Sequence, residues 1–112
     1  MTDNKYVKKF HPGCGSVQTT LKAVGGKWKP LIVFLLSQGT MRFGELRQNV
    51  GNITQKMLTQ ELREMESDGL VHRKVFPVVP PKVEYSLTAY GRTLEPILKS
   101  MAEWGKKHPA RA

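Results

Sequence analysis

Apolar positions recur along the chain with a period that changes once and then changes back. Val17, Leu21 and Val24 recur at spacings of four and three, which predicts a helix over 16–24 ended by Gly25-Gly26. Trp28, Leu31, Ile32, Phe34, Leu35 and Leu36 make residues 27–37 apolar almost all round, as a central core helix would be. Pro30 falls in its first turn, where a missing N–H costs little, and Gly39 closes it. After a short strand at 40–42, Phe43, Leu46 and Val50 mark a third helix over 43–50, and Gly51-Asn52 forms a turn. Thr54 is the N-cap of a fourth helix that runs to about Ser67 and ends at Gly69.

The period then becomes two. Val71, Arg73 and Val75 alternate with His72, Lys74 and Phe76, and Val83, Tyr85 and Leu87 alternate with Lys82, Glu84 and Ser86. The run PVVPP between them predicts a β-hairpin with an exposed, Pro-stiffened tip. Thr88 caps a last helix with Leu94, Ile97, Leu98, Met101 and Trp104 on one stripe, and Pro96 predicts a kink or break in it. The expected fold is mainly α with a small β-hairpin, a winged helix-turn-helix. It has a three-helix core, a two-stranded wing and extra terminal helices. The expected organisation is one domain over 14–104, between a flexible basic arm at 1–13 and a loose basic tail at 105–112.

Charge turns this fold towards a partner. Eighteen Lys and Arg face nine Asp and Glu, a net charge of +9, which favours a polyanion: nucleic acid or an anionic membrane surface. On the fourth helix, at about 100° per residue, Leu58, Leu62 and Met65 share one side. Lys56, Thr59, Gln60 and Arg63 fall on the other, with Thr54 and Gln55 at the N-terminal end. Arg and Lys can donate to guanine, and Gln can both donate to and accept from adenine. The plain alternative is a solvated helix face. Arg73, Lys74 and Lys82 on the hairpin would meet phosphates or a minor groove, or would merely protect an exposed edge. The candidate DNA-binding residues are therefore Thr54, Gln55, Lys56, Thr59, Gln60, Arg63, Arg73, Lys74 and Lys82, with the recognition helix at about 54–67 and the wing at about 71–87.

Several stretches carry a family resemblance. They are Gly25-Gly26-Lys27-Trp28, Arg42-Phe43-x-Glu45-Leu46, Ile53-Thr54-Gln55-Lys56-Met57-Leu58-Thr59-Gln60 continuing through Leu62-Arg63-Glu64-Met65-Glu66, Asp68-Gly69-Leu70-Val71, and Val79-Pro80-Pro81-x-Val83-Glu84-Tyr85-Ser86-Leu87-Thr88. Gly91, Leu94 and Trp104 fit the closing helix. Across about residues 14–104 the chain resembles the HxlR-type family of bacterial transcriptional regulators. The resemblance implies a homodimer that binds double-stranded DNA at a pseudo-palindromic promoter or operator site. It also implies dimerisation through the terminal helices, here 16–24 and 89–104. The expected dimer contacts are Val17, Leu21, Leu94, Ile97, Leu98, Met101 and Trp104; the alternative is that the last stripe packs back onto the Trp28 helix.

Cys14 is the one cysteine, so no intrachain disulfide can form, as suits a reducing cytoplasm. Lys8, Lys9 and His11 lie close to it in sequence, and neighbouring cations favour a thiolate. Some members of the resembled family sense electrophiles or oxidants through an N-terminal cysteine. Cys14 is accordingly either a redox sensor or a packed, inert thiol. An unknown small-molecule effector bound at the dimer interface stays open alongside a redox effector, although no residue pattern identifies its site. The N-terminus has no apolar signal region and the longest apolar run, 31–36, is far short of a membrane span, so a cytoplasmic protein without a membrane partner is expected. His11, His72 and His108 are scattered, and no phosphate loop or metal-ligand spacing occurs. Catalysis, metal and cofactor are not expected. Glu61, Glu64, Glu66 and Asp68 are expected to pair within their helix with Arg63 and its neighbours. The competing class is a winged-helix module that binds only proteins.

Overall fold

The computed structural model describes residues 11–110. Residues 1–10, with Lys8, Lys9 and most of the predicted arm, and residues 111–112 lie outside the described range. Among the described residues there are six helices and three strands: α1 (Pro12–Val24), α2 (Lys29–Ser37), β1 (Met41–Arg42), α3 (Phe43–Val50), α4 (Gln55–Ser67), β2 (Val71–Phe76), β3 (Lys82–Leu87), α5 (Ala89–Arg92) and α6 (Glu95–Lys107). Helix α1 starts at Pro12, so Pro12 and Gly13 belong to it and not to an arm. The His11 imidazole caps it, Nδ1 accepting from the Gly13 amide at 3.0 Å. Helix α6 continues to Lys107, so residues 105–107 are helical and not tail.

The core is one cluster. Ile32, Val33 and Leu36 of α2, Leu46 of α3 and Leu58, Leu62 and Met65 of α4 are fully buried against Leu70, Val71, Tyr85 and Leu87. The hairpin pairs Val71 with Leu87, Arg73 with Tyr85 and Phe76 with Lys82. The short strand β1 adds a third member, Met41 pairing with Tyr85, in the order β1-β3-β2. The wing is thus anchored in a sheet of three strands, where two were expected.

Local chemistry sets the ends of each element. The Arg42 amide donates to Glu45 Oε1 at 2.9 Å, starting α3. Thr54 Oγ1 accepts from the Met57 amide at 3.0 Å, starting α4 as expected. Gly69, at φ +78°, ends α4: the Leu70 amide donates to the Met65 carbonyl at 2.9 Å and the Gly69 amide to the Glu66 carbonyl at 3.0 Å. This is a Schellman closure, in which a left-handed residue satisfies the last carbonyls, and buried Leu70 and Met65 form its apolar contact. Thr88 then ties this corner to the far strand, its hydroxyl donating to the Gly69 carbonyl at 2.6 Å and accepting from the Gly91 amide at 2.9 Å. A Cβ at Gly91 would overlap the Leu70 carbonyl, so only glycine allows that approach. The predicted last helix is broken at Thr93 and Leu94, and Pro96 falls in the first turn of α6, where its missing N–H is no loss.

Candidate nucleic-acid interface

Helix α4 has two faces. Its inner face buries Leu58, Leu62 and Met65. Its outer face gathers Gln55, Lys56, Thr59, Gln60, Arg63 and Glu64 around one open groove. Five of the sequence-predicted DNA residues are therefore neighbours on one surface. Thr54 stands at the head of the helix, its oxygen committed to the cap and its O–H still able to donate.

A second feature lies between α4 and the wing. Thr59, Arg63 and Glu66 of α4 and Arg73 and Tyr85 of the sheet line a cleft of about 350 Å³. Arg73 pairs with Tyr85 on the face of the hairpin that also carries Val71. Lys74 and Lys82 are on the opposite face. There they share Phe76, with Nζ 4.9 Å and 4.8 Å from its ring centre, and Lys82 also pairs with Glu84 at 3.3 Å. The wing cations thus form two groups: Arg73 beside α4, and two lysines steadied over an aromatic ring on the outer flank.

The acidic residues of α4 do not pair with Arg63 among the described residues. Lys29, at the start of α2, lies 2.7 Å from Glu64 Oε1 and 3.7 Å from Glu61 Oε1. Its side chain is only 15% exposed. Gln60 Nε2 donates to the other Glu64 oxygen at 3.4 Å. The hydrogen bond to Glu64 raises the Lys29 pKa above its ordinary value, against the opposing effect of burial, and the charges of Glu61, Glu64 and Asp68 add to it. Hydrogen bonds from Lys29 and then Gln60 hold the Glu64 carboxyl below the usual range. Sequence reasoning missed Lys29, because its partner is 35 residues away and no local pattern announces the contact.

Not all the expected dimer residues are available to a partner. Leu94 (8% exposed) and Leu98 (4%) are core residues of the monomer. The α6 stripe is split because its Leu98 edge turns inward onto α2. Val17, Leu21, Ile97, Met101 and Trp104 remain exposed, and so do Leu31 and Phe34 of α2, which had been expected in the core. Cys14 is exposed in the first turn of α1. Among the described residues no group of acidic, His and Cys side chains could hold a metal ion, and no helix is long and apolar enough to cross a membrane.

Helices α2 to α4 followed by an antiparallel wing define a winged helix-turn-helix protein. A family model described as HxlR-like helix-turn-helix matches residues 23–112. The chain is 54% identical over 99 residues to the HTH-type transcriptional regulator YdeP of Bacillus subtilis (strain 168), covering 88% of this chain and 77% of that protein. It is 50% identical over 108 residues to YybR of the same organism, covering 96% and 86%. Among solved structures, the redox regulator HypR in its oxidized form matches with a TM-score of 0.83 at 52% identity, over 86% of this chain and 99% of that one. The chain belongs to the HxlR family of helix-turn-helix transcriptional regulators. It is a DNA-binding transcriptional regulator, of a family that is non-enzymatic.

The Lys29–Glu64 pair has a defined pH window. Glu64 has a lowered pKa, so its contribution is fully present above the ordinary carboxylate range and is lost as pH falls through the lowered value. Lys29 has a raised pKa, so its contribution is lost only as pH rises through that raised value, far above neutrality. The difference between the thermal melts of wild type and Lys29→Met should stay constant from about pH 6 to 8 and move in the variant's favour as pH falls below the ordinary carboxylate range, where Lys29 loses its ionised partner. A difference that changes through neutral pH would contradict this pairing.

Proposed function

We propose that this regulator acts as a homodimer that docks α4 in the major groove of a pseudo-palindromic duplex. Gln55, Lys56, Thr59, Gln60 and Arg63 reach base edges or adjacent phosphates, and Thr54 contacts the backbone at the helix head. Arg73, Lys74 and Lys82 hold the wing on the backbone or minor groove. The observation that carries the reading is the gathering of the five side chains on the exposed face of α4, opposite the three that fix it to the core. The net charge of +9 supports it, since phosphate neutralisation supplies most of the sequence-independent affinity. Fluorescence anisotropy with the duplex upstream of the protein's own gene, against a shuffled duplex, tests it between about 50 and 200 mM salt. Arg63→Ala should cost about 1–3 kcal/mol on the preferred duplex and less on the shuffled one, whereas Lys82→Ala should weaken both alike. Equal losses on both duplexes for both variants would remove Arg63 from base reading.

Exposed apolar surface supports the dimer. Helix α1 buries only Val24, and a free helix of its length is marginal in water. Met101 is 51% and Trp104 64% exposed on α6. The radius of gyration is 17.2 Å, against about 13 Å for a compact chain of this size. A two-fold partner covering α1 and α6 would present two recognition helices about one DNA turn (~34 Å) apart. Sedimentation should show wild type as a dimer and Met101→Asp as a folded monomer that has lost the preference for two half-sites. A Met101→Asp dimer would move the interface elsewhere.

A redox response through Cys14 is the second reading. Its support is the exposed thiol in α1 and the similarity to HypR, which is itself a redox regulator. With one cysteine per chain, the available products are a Cys14–Cys14 bridge between subunits, a mixed disulfide or an adduct. In the bridge two thiols give one disulfide, and two protons and two electrons pass to the oxidant. Diamide should change the affinity of wild type for the upstream duplex and leave Cys14→Ala unaffected; an equal response of both proteins would eliminate Cys14 as the sensor.

A further inference from the structure

We infer that Lys29 and Glu64 are a positioning pair for Gln60, holding its amide in the orientation that matches adenine and opposes guanine. The inference rests on the reading of α4 as the recognition helix and deepens it by assigning a base preference to one side chain.

An amide side chain on an exposed helix can turn about its last bond and present either end to a base. Here one end is held. Glu64 Oε2 accepts from Gln60 Nε2 at 3.4 Å, one helical turn away. An ionised carboxylate has no proton to donate, so it can hold the NH₂ end of Gln60 and cannot hold the carbonyl end. Glu64 is itself fixed from behind, because its other oxygen is 2.7 Å from Lys29 Nζ. That ammonium comes from α2, on a side chain that is only 15% exposed as a whole, and also reaches Glu61. It therefore keeps Glu64 ionised and localised without being a DNA-facing residue, and it neutralises acidic charge that would otherwise repel phosphates.

The held amide keeps a carbonyl oxygen and a second N–H for the groove. Adenine offers an N6 amino donor and an N7 acceptor, which this pair of groups complements. Guanine offers two acceptors, O6 and N7, so the fixed carbonyl oxygen would face another lone pair. If Glu64 becomes an amide, it can hold either end of Gln60 and the discrimination relaxes.

The test selects a pool of duplexes with a randomised core on wild-type protein, then measures base preference at each position for Gln60→Ala, Glu64→Gln, Lys29→Met and Lys29→Arg by competition. Melting temperatures are recorded alongside. Gln60→Ala should flatten an adenine preference at one position per half-site. Glu64→Gln should reduce adenine-over-guanine preference there by about fivefold or more, while its affinity for random duplex rises because a negative charge has left the DNA face. Partial unfolding cannot produce that opposition, since it weakens both. Lys29→Met should flatten the same position and weaken random binding, and Lys29→Arg should restore both. If Lys29→Met does not fold, Glu64→Gln decides alone. A position altered by Gln60→Ala but untouched by Glu64→Gln would overturn the positioning role and leave the recognition helix standing. A preference profile unmoved by Gln60→Ala and equally unmoved by Arg63→Ala would overturn the recognition reading, and the positioning role with it.

Discussion

The burial of Leu58, Leu62 and Met65 fixes the rotation of α4 about its own axis, and the rest of the molecule follows from that. With successive side chains about 100° apart, seating these three in the core turns Lys56, Gln60 and Arg63 outward. The helix ends are fixed as firmly as its rotation. The Thr54 cap sets the start, and the Gly69 closure sets the end and delivers Leu70 into the core. The Leu70 carbonyl then accepts from the Thr88 amide at 3.0 Å, and the same carbonyl crowds Gly91. One corner therefore joins the end of α4, the wing strands and the first turn of α5.

Electrostatics on this scaffold is organised by distance from the core. Lys29 stands where α2 meets α4 and takes up the acidic charge of Glu61 and Glu64, which under the proposed docking would oppose DNA. Arg73 is on the sheet face that continues the core, so it borders α4 and its cleft. Lys74 and Lys82 lie over Phe76, which limits their motion and leaves their charge on the surface. The hairpin tip, residues 77–81, carries no charged side chain. The wing would thus hold phosphates with its flanks, and its tip would meet DNA through shape and apolar contact.

Elements with strong periodicity were legible in the sequence. The bounds of α3, the cap and span of α4, the hairpin and the break near Pro96 follow from spacing, glycine and proline alone. The family, too, was legible in the ordered motifs. What escaped depends on which body covers a face. The stripe on α6 is continuous in sequence, yet Leu98 turns to the core while Trp104 stays exposed. Helix α2 is apolar almost all round, and the one chain has too few elements to cover Leu31 and Phe34. The partner of β1 was not legible, because two residues carry no alternation. The separation of Arg73 from Lys74 was implicit in the period of two, since neighbours along a strand point to opposite faces. The Lys29–Glu64 contact was beyond reach, because only the folded arrangement of α2 and α4 brings residues 35 apart together.

The terminal helices connect this geometry to control. Helix α1 carries Cys14 in its first turn and touches its own core at the other end, through Val24. Under the proposed dimer, most of what holds α1 in place is the partner. A change at Cys14 then acts at the loosely held end of a dimer helix, far in sequence from α4. It need not reach the bases to matter. Two recognition helices engage successive major grooves only at one separation, so a small change in how the subunits meet alters both half-sites together. A bulky or bridging modification in the first turn of α1 would bias that separation, while the cap of α4 and the closure at Gly69 keep each reading head intact. Sensing and reading would occupy opposite ends of one domain, coupled through the subunit contact and not through the core.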